Sequence, residues 1–472
     1  MIFKTKKALL LSLCVLMLLG NTPMDTQAVP MRFAVIGDYG LASQPEQDVA
    51  TLVNSWNPDF IVTLGDNNYT TGSAAEIDAN IGQYYHDYIY PYQGSYGAGA
   101  AANKFFPILG NHDWETPNAQ PYLDYFSLPG NERYYDFIQG PIHFFVLDSD
   151  PREPDGTSAS SIQALWLKAG LYTSTSPWQI VLLHHAPYSS SSHGSNTNMQ
   201  WDYKGWGADA VLAGHDHTYE RIVIDGLPYF VNGLGGSTIY PFNTPVTGSE
   251  VRYNNNYGAM LITALDTQIT FQFWSRTPTK RDEYILQTTF ADVAKNYWAW
   301  SFIESLKNAN ITGGCLTTPL SYCPEDSVTR AQMAVFLLKG IHGSTYIPPV
   351  VGSDTGFADV AADHWAAAWI KQLAAEGITS GCGAGNYCPE NSVTRAQMAI
   401  FLLNAKYGSA YEPPAPTGVF TDVPIGYWAD QWIEQLAFEG ITSGCGSGIY
   451  CPEADVTRAQ MAVFLVKTFG LP

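Results

Sequence analysis

Positive charge is scarce in this chain, and the scarcity excludes one class of partner. The 472 residues include 23 lysines and arginines against 43 aspartates and glutamates, which gives a formal net charge of −20. A surface with this balance repels polyanions, so long-range steering toward nucleic acid is excluded. Affinity for phosphate must therefore come from local positive charge, such as a bound metal ion.

Long apolar runs are also lacking. The longest candidate extends from Ala8 to Leu19, follows a lysine-rich start, and is followed by the small-residue boundary Thr26-Gln27-Ala28. A membrane span needs about 20 apolar residues, so this run is too short to cross a bilayer. We interpret residues 1–28 as a cleavable secretory signal, which predicts a secreted, extracellular or surface-attached protein; a retained membrane anchor is the less favoured alternative. No later segment predicts a transmembrane helix.

Cysteine is the third scarce residue type, with seven in the chain. Cys14 lies in the predicted signal, and the others form three close pairs: Cys315 and Cys323, Cys382 and Cys388, Cys445 and Cys451. Regular pairs in an exported protein predict local disulfides. Zinc binding is the less favoured alternative, because C-x2-C spacing is absent and each pair offers only two thiols.

The C-terminal part contains a unit repeated three times. Phe290, Phe357 and Phe420 each begin a Phe-x-Asp-Val sequence, which is answered roughly forty residues later by Val-Thr-Arg-Ala-Gln-Met-Ala. Apolar spacing predicts two helices per unit, and Thr329 with Gln332 fits a capping box. Proline-rich stretches separate the units. The predicted boundaries are 286–346, 353–411 and 416–472, after a catalytic domain at 29–285.

The region 31–275 consists of short apolar runs that end in polar residues. The pairs of run and polar residue are Phe33–Ile36 with Asp38, Phe60–Leu64 with Asp66, Phe105–Leu109 with Asn111, Ile180–Leu183 with His184-His185, and Ala210–Ala213 with His215. Such runs are typical of buried strands. Helical stretches at Glu46–Trp56 and Ile162–Leu171 intervene, so the fold class predicted is a layered α/β domain.

These polar residues follow strands at positions where open α/β sheets bind ligands. A single Gly-Asp sequence usually marks only a turn, but five polar strand ends in order, the last in a His-x-His sequence, indicate a metal centre. Carboxylate and amide oxygens with imidazoles suit two adjacent first-row metal ions bridged by one carboxylate. Two such ions can hold a phosphoryl oxygen and the attacking oxygen together.

The motifs that carry this pattern resemble the metallophosphoesterase signature. They are Gly37-Asp38-Tyr39-Gly40, Gly65-Asp66-Asn67-Asn68-Tyr69, Gly110-Asn111-His112-Asp113, His185-Ala186-Pro187 and Gly214-His215-Asp216-His217. Most members have Asp-x-His in the first motif, whereas this chain has Tyr39-Gly40 there and Tyr69 three residues after Asp66. In this the chain is similar to the purple acid phosphatases, whose tyrosinate binds Fe(III). The resemblance implies a β-sandwich flanked by helices.

The resemblance also implies the roles of individual residues. Asp38, Asp66, Tyr69 and His217 would hold Fe(III), and Asp66, Asn111, His185 and His215 would hold Fe(II), Zn(II) or Mn(II), with Asp66 bridging. His112 and His193 resemble outer histidines that bind phosphate or assist departure of the leaving group. Spacing from Val181 favours His184 as the ligand and the His-x-Pro pattern favours His185. Adjacent strand residues face opposite sides, so only one of the two should reach the metals, and we expect it to be His185.

The repeats resemble the S-layer homology (SLH) domain, which implies an anionic cell-wall glycan as partner. The capping box does not account for Arg330, Arg395 and Arg458, so these are candidate glycan contacts. Gln332, Gln397 and Gln460 stand where the family usually has Glu. A stabilising or dimerising module is the alternative for this region.

Together these features predict a surface-anchored, binuclear acid phosphatase that hydrolyses phosphomonoesters. A phosphodiesterase or nucleotide pyrophosphatase on the same scaffold is one alternative, because two metal ions do not choose between mono- and diesters. The loops Tyr84–Tyr96 and Thr238–Asn256 are expected to make that choice. A catalytically dead wall-binding protein is the second alternative, and it is disfavoured because no ligand position has been lost.

Overall fold

A computed structural model of the chain describes residues 29–471. The predicted signal, residues 1–28, lies outside the described residues. Within 29–471, no helix combines the length and apolar character needed to cross a bilayer. The described chain forms a two-sheet sandwich with flanking helices, followed by a ring of three helical units, so the predicted fold class is confirmed.

The strands of the structure, in chain order, are β1 (Met31–Ile36), β2 (Phe60–Thr63), β3 (Phe105–Phe106), β4 (Tyr135–Gln139), β5 (Ile142–Val146), β6 (Trp178–His185), β7 (Ala210–Gly214), β8 (Tyr219–Ile224), β9 (Leu227–Asn232), β10 (Ser249–Tyr253), β11 (Gly258–Leu265), β12 (Gln268–Ser275), β13 (Thr279–Gln287), β14 (Leu316–Thr317) and β15 (Leu320–Ser321). The helices are α1 (Gln44–Ser55), α2 (Gln83–Tyr85), α3 (Gln120–Tyr125), α4 (Ile162–Thr173), α5 (Tyr203–Trp206), α6 (Trp300–Asn308), α7 (Arg330–His342), α8 (Ala367–Ala375), α9 (Arg395–Tyr407), α10 (Asp430–Phe438) and α11 (Arg458–Phe469).

One sheet has the order β13-β12-β11-β1-β2-β3 and the other β10-β8-β9-β7-β6-β5-β4. Strands β1, β2 and β3 run parallel in the first sheet, and β5, β6 and β7 run parallel in the second. Parallel strands end at the same edge of their sheet, so the polar residues after β1, β2, β3, β6 and β7 can meet between the two sheets. The predicted strands are present, although β3 is shorter than expected because Pro107 has no N–H for the ladder.

Both faces of the central strands are buried, which explains their continuous apolar runs. Phe33 and Phe60 stack with ring centroids 4.8 Å apart, and both pack edge-on against Phe144 of the other sheet. Ala34 of the outer face packs with Val49 of helix α1. Burial of one such side chain stabilises the fold by about 1.5–3 kcal/mol, so this aromatic core fixes the spacing of the two sheets.

The C-terminal units close into a ring through their Val-Thr-Arg sequences. Val328 N–H donates to Val456 C=O at 2.9 Å, Val393 N–H to Val328 C=O at 3.0 Å, and Val456 N–H to Val393 C=O at 2.9 Å. Each second helix begins with a capping box, as predicted for Thr329 and Gln332. The three predicted disulfides are present, one in the loop of each unit. The domain boundaries themselves stay predictions.

Candidate functional sites

One half of the polar cluster between the sheets forms around Tyr69. Its hydroxyl lies 2.9 Å from Asp66 Oδ2, 3.3 Å from Asp38 Oδ1 and 3.0 Å from His217 Nε2. His217 Nε2 is also 3.4 Å from Asp38 Oδ1. All four side chains are buried. The structure therefore brings together the four residues expected to hold the first metal.

The other half of the cluster shares Asp66. His184 Nε2 lies 3.4 Å from Asp66 Oδ1, 3.0 Å from Asn111 Oδ1 and 3.2 Å from His215 Nδ1. Ligand atoms of Asp66, His184 and His215 all fall within 4.8 Å of one another, as do those of Asp38, Asp66 and His217. Asp66 is common to both groups, which is the arrangement a bridging carboxylate requires.

The expectation for His185 is corrected: His184 faces the cluster. Ile180 and Leu182 of β6 point into the core between the sheets, whereas Val181 and Leu183 point to the outer face. Alternation then places His184 on the inner side, where residues of both sheets converge. His185 instead contacts Ser149, whose Oγ lies 2.9 Å from His185 Nδ1 and accepts the His185 backbone N–H at 2.8 Å. The spacing from Val181 was the informative sequence signal.

Backbone strain and close packing hold the cluster in place. Asp38, Asp66 and His215 have φ of 55°, 51° and 69°, in the left-handed region that costs a non-glycine residue about 1–3 kcal/mol and concentrates at functional sites. Gly110 is required for a different reason: a Cβ there would lie 2.2 Å from Asp66 N. The loop after β3 can therefore approach the loop after β2 only without a side chain at this position.

The donor set fits metal ions because unshared electron pairs converge on two points. His217 Nδ1 lies 2.5 Å from Thr238 C=O and His184 Nδ1 lies 2.7 Å from Leu64 C=O, so both Nδ1 atoms carry protons. In the neutral rings each Nε2 then turns an electron pair toward a carboxylate. Such backbone-anchored histidines are usual in metal sites. Converging acceptors repel one another unless a cation lies between them.

The pKa values of the side chains in the cluster also indicate that a positive charge is favoured beside the carboxylates. Burial lowers the pKa of His184, but the Asp66 carboxylate outweighs it and raises that pKa to about 10. Burial and the neighbouring carboxylates Asp38 and Asp66 raise the pKa of Tyr69 well above its usual value. Burial and the nearby His184 lower the pKa of His185 to about 3. The Asp66 carboxylate thus favours a positive charge at the position of His184.

Two histidines at the rim of the cluster were predicted to serve catalysis, and both lie there. His112 Nε2 is 3.9 Å from Asp66 Oδ2, and its Nδ1 lies 2.6 Å from Thr70 C=O. The exposed ring of His193 stacks on His215 with centroids 4.2 Å apart.

Two further residues border the site without a signal in the sequence. Tyr240, from the loop Thr238–Asn256, stacks on His217 with centroids 4.1 Å apart. Arg152 donates to Asn111 C=O at 3.0 Å and to both oxygens of Asp150. Arg152 therefore braces the loop that carries Asn111. Both contacts join distant parts of the chain, so periodicity and local motifs could not predict them.

The helical ring contains three grooves with equivalent linings. Groove 1 is lined by Thr312, Gln332, Lys339, Trp365 and Arg458; groove 2 by Thr379, Gln397, Asn404, Trp428 and Arg330; and groove 3 by Thr442, Gln460, Lys467, Trp298 and Arg395. Each groove has an arginine from a neighbouring unit and a tryptophan that is 56–61% exposed.

The three candidate arginines hold the ring together as well as lining the grooves. Arg330, Arg395 and Arg458 are only 3–4% exposed, and each Nε donates to a tyrosine C=O of the next unit at 2.7–2.8 Å. Each guanidinium lies between two aromatic rings, as Arg330 does between Tyr387 and Phe401. These contacts offset the cost of burying a cation. These arginines therefore connect neighbouring units of the ring, in addition to any contact with glycan.

The sandwich and its buried acid–histidine cluster define a protein of the phosphoesterase class, and comparison with known families agrees. Residues 31–219 match the Calcineurin-like phosphoesterase family, and residues 356–399 and 419–462 match the S-layer homology domain. The chain thus contains a calcineurin-like metallophosphoesterase domain followed by SLH domains. The first helical unit lies outside these matches, although its fold repeats that of the other two.

Individual relatives match one part of the chain or the other. Purple acid phosphatase 17 of Arabidopsis thaliana is 26% identical over 248 residues, which is 46% of this chain and 71% of the relative. The cellulosome-anchoring protein of Acetivibrio thermocellus is 28% identical over 147 residues, 31% of this chain and 32% of the relative. The chain thus spans about a third of that anchoring protein. A purple acid phosphatase from yellow lupin (Lupinus luteus) seeds covers 55% of this chain and 54% of its own, with 18% identity and a TM-score of 0.45.

Proposed function

We propose that this protein is a binuclear metal-dependent phosphatase that hydrolyses phosphomonoesters at the cell surface. The observation that carries the proposal is Asp66, a buried carboxylate shared by two groups of ligand atoms. Asp38, Tyr69 and His217 complete one group, and Asn111, His184 and His215 the other. No ligand position is occupied by an inert residue, which argues against a catalytically dead domain.

Asp66, His112 and His193 have different roles in the proposed hydrolysis. Bound metal ions would supply a hydroxide nucleophile and neutralise charge on the phosphoryl group. The His112 N–H donates to Asp66 Oδ1 at 2.9 Å and so orients the carboxylate that the two groups share. His112 and His193 border the cluster, where their imidazoles could bind phosphate oxygens or protonate the departing alkoxide. The side chain of His112 is 32% exposed, so substrate can reach it.

Tyr69 supports Fe(III) at the first site. Burial, Asp38 and Asp66 all raise the pKa of Tyr69, so this phenol ionises only beside a strongly charged cation. A trivalent ion meets that demand better than a divalent one. Fe(II), Zn(II) or Mn(II) at the Asn111, His184 and His215 group completes the proposed centre, because imidazole and amide oxygen suit such ions.

The test is metal analysis together with a substrate panel on purified protein. We expect two metal ions per chain, one of them iron, and faster turnover of a phosphomonoester such as phosphoserine than of a matched diester or a nucleotide pyrophosphate. Preference for the diester would establish the phosphodiesterase alternative. A protein that holds two metals and turns over none of these esters would contradict the proposal.

For the helical ring we propose attachment to cell-wall glycan. The SLH match supports this partner, and each groove combines a cation with an exposed tryptophan ring that can stack on a sugar. Sedimentation with purified wall sacculi tests the attachment. The full chain should pellet with sacculi, and a chain that stays in the supernatant would contradict attachment without bearing on the phosphatase.

A further inference from the structure

The three grooves differ at one equivalent position on their second helices. This position lies nine residues after the arginine that begins the second helix of each unit. It is Lys339 in groove 1, Asn404 in groove 2 and Lys467 in groove 3. The groove tryptophan, arginine, threonine and glutamine repeat from unit to unit, so this position is where the linings differ in charge. The three grooves therefore allow lysine and asparagine to be compared at equivalent positions within one protein.

Groove 2 combines an unpaired arginine nitrogen, which groove 1 shares at Arg458 Nη2, with an unpaired amide oxygen of its own. Among the described residues that line this groove, Arg330 is the single cationic side chain. Its Nη2 has no hydrogen-bond partner within residues 29–471, although the residue is 97% buried, and neither has the buried Asn404 Oδ1. Leaving a buried polar group unpaired costs about 1–3 kcal/mol, so a ligand that pairs both groups would be favoured. Such a ligand offers an acceptor to Arg330 and a neutral N–H or O–H donor to Asn404.

Grooves 1 and 3 each carry a second cation. Lys339 joins Arg458 in groove 1, and Lys467 joins Arg395 in groove 3, where Lys467 Nζ also donates to Gly440 C=O at 3.0 Å. Their cavities are smaller, about 340 and 160 Å³ against about 510 Å³ in groove 2. Two cations in one groove suit an acidic substituent, whereas groove 2 offers one cation and a neutral amide.

We propose that the grooves have different specificities: groove 2 binds a neutral acetamido sugar through Asn404, and grooves 1 and 3 bind acidic groups of the wall glycan through Lys339 and Lys467. The inference rests on the proposed attachment to glycan and extends it to the sugar unit that each groove accepts. One continuous glycan could then engage several grooves at once, which raises the overall affinity.

The experiment uses the full chain labelled with 5-fluorotryptophan and two monosaccharides, N-acetylglucosamine and N-acetylmuramic acid, which differ by a lactyl carboxylate. Trp365, Trp428 and Trp298 each report on one groove in fluorine NMR, and Trp→Phe variants assign their signals. N-acetylglucosamine should shift the Trp428 signal most. N-acetylmuramic acid should shift the Trp365 and Trp298 signals most, and less so in 1 M salt, where charge interactions are screened within about 3 Å.

Exchanging the distinguishing residues provides matched controls. Asn404→Lys should transfer the response to N-acetylmuramic acid to Trp428, and Lys339→Asn should weaken it at Trp365 by about tenfold, the contribution of one charge-assisted hydrogen bond. Thermal melting confirms that each variant is folded. Equal responses of the three tryptophans, or no response to either sugar, would overturn the groove specificities. If the chain also fails to pellet with sacculi, wall attachment itself is rejected; pelleting with equal responses rejects only this inference.

Discussion

At the scale of single residues, the proposed bridging role of Asp66 gives the first prediction. Asp66→Asn keeps the shape of the side chain but removes the charge shared by both ligand groups. We expect this variant to lose both metals and most activity, whereas Asp38→Asn should weaken mainly the Tyr69 group. Metal content after dialysis distinguishes them. Retention of two tightly bound metals by Asp66→Asn would show that another group bridges.

The neighbouring histidines give a second prediction at this scale. His184→Ala should remove the metal held with Asn111 and His215, because His184 Nε2 faces both. His185→Ala is the matched control and should retain both metals, since its Nδ1 contacts Ser149 and its ring only packs against His215, with centroids 4.3 Å apart. Metal analysis and the melting temperature of both variants check this. The reverse result would restore His185 as the ligand.

Tyr69 has an optical consequence. Tyrosinate bound to Fe(III) gives a charge-transfer band, so the iron-loaded, oxidised protein should be violet, and Tyr69→Phe should lose the colour. Three protein ligands remain at that group, so the fold and part of the activity should survive. Absorption spectra before and after reduction provide the measurement. A colourless, fully active protein with two divalent metals would place the chain among general metallophosphoesterases.

At the scale of elements, the loops after β2 and β3 must approach each other without a side chain at Gly110. Gly110→Ala places a Cβ 2.2 Å from Asp66 N, and that backbone cannot move without disturbing the strained Asp66. We expect this variant to bind metal more weakly. Its free energy of unfolding should fall by about 2 kcal/mol, within the range for overpacking.

Gly313→Ala is the control for this variant, because its Cβ would meet nothing within 4 Å. Denaturant unfolding and metal titration of both variants provide the comparison. If Gly110→Ala binds metal as tightly as Gly313→Ala does, the close approach of the two loops has no role in the site.

At the scale of the whole molecule, the sandwich and the ring are joined directly. Strand β13 ends at Gln287, Thr288 N–H donates to Thr267 C=O at 2.9 Å, and Lys295 of the first helical unit lies over Trp178 and pairs with Asp209. A boundary at residue 286 would cut β13, so a truncation should follow Thr288.

We predict that a chain ending at Thr288 keeps turnover within about twofold, because every candidate ligand precedes this position. The same chain should no longer pellet with sacculi, since the three grooves are gone. Phosphatase assay and sedimentation of the truncated and full chains give the two readouts. A truncated protein that melts normally yet loses most of its turnover would show that the ring contributes to catalysis.

Much of this protein was predictable from local pattern. The apolar runs predicted the strands around the site, the capping boxes predicted the second helices of the ring, and close cysteine spacing predicted the disulfides. These features depend on residues near one another in the chain, so periodicity and spacing are sufficient to find them. The motifs around Asp38, Asp66 and His217 likewise carried the metal hypothesis, because residue type determines ligand chemistry.

Tertiary structure alone decided the remaining features, since they depend on residues distant in sequence. The orientation of His184 follows from which face of β6 meets the opposing sheet, and two competing local patterns could not settle it. The stacking of Tyr240 on His217 joins a loop to a strand end that the sequence does not connect by any motif. The buried arginines of the ring acquire their partners only when three units close on one another, because each tyrosine carbonyl that they contact belongs to the next unit.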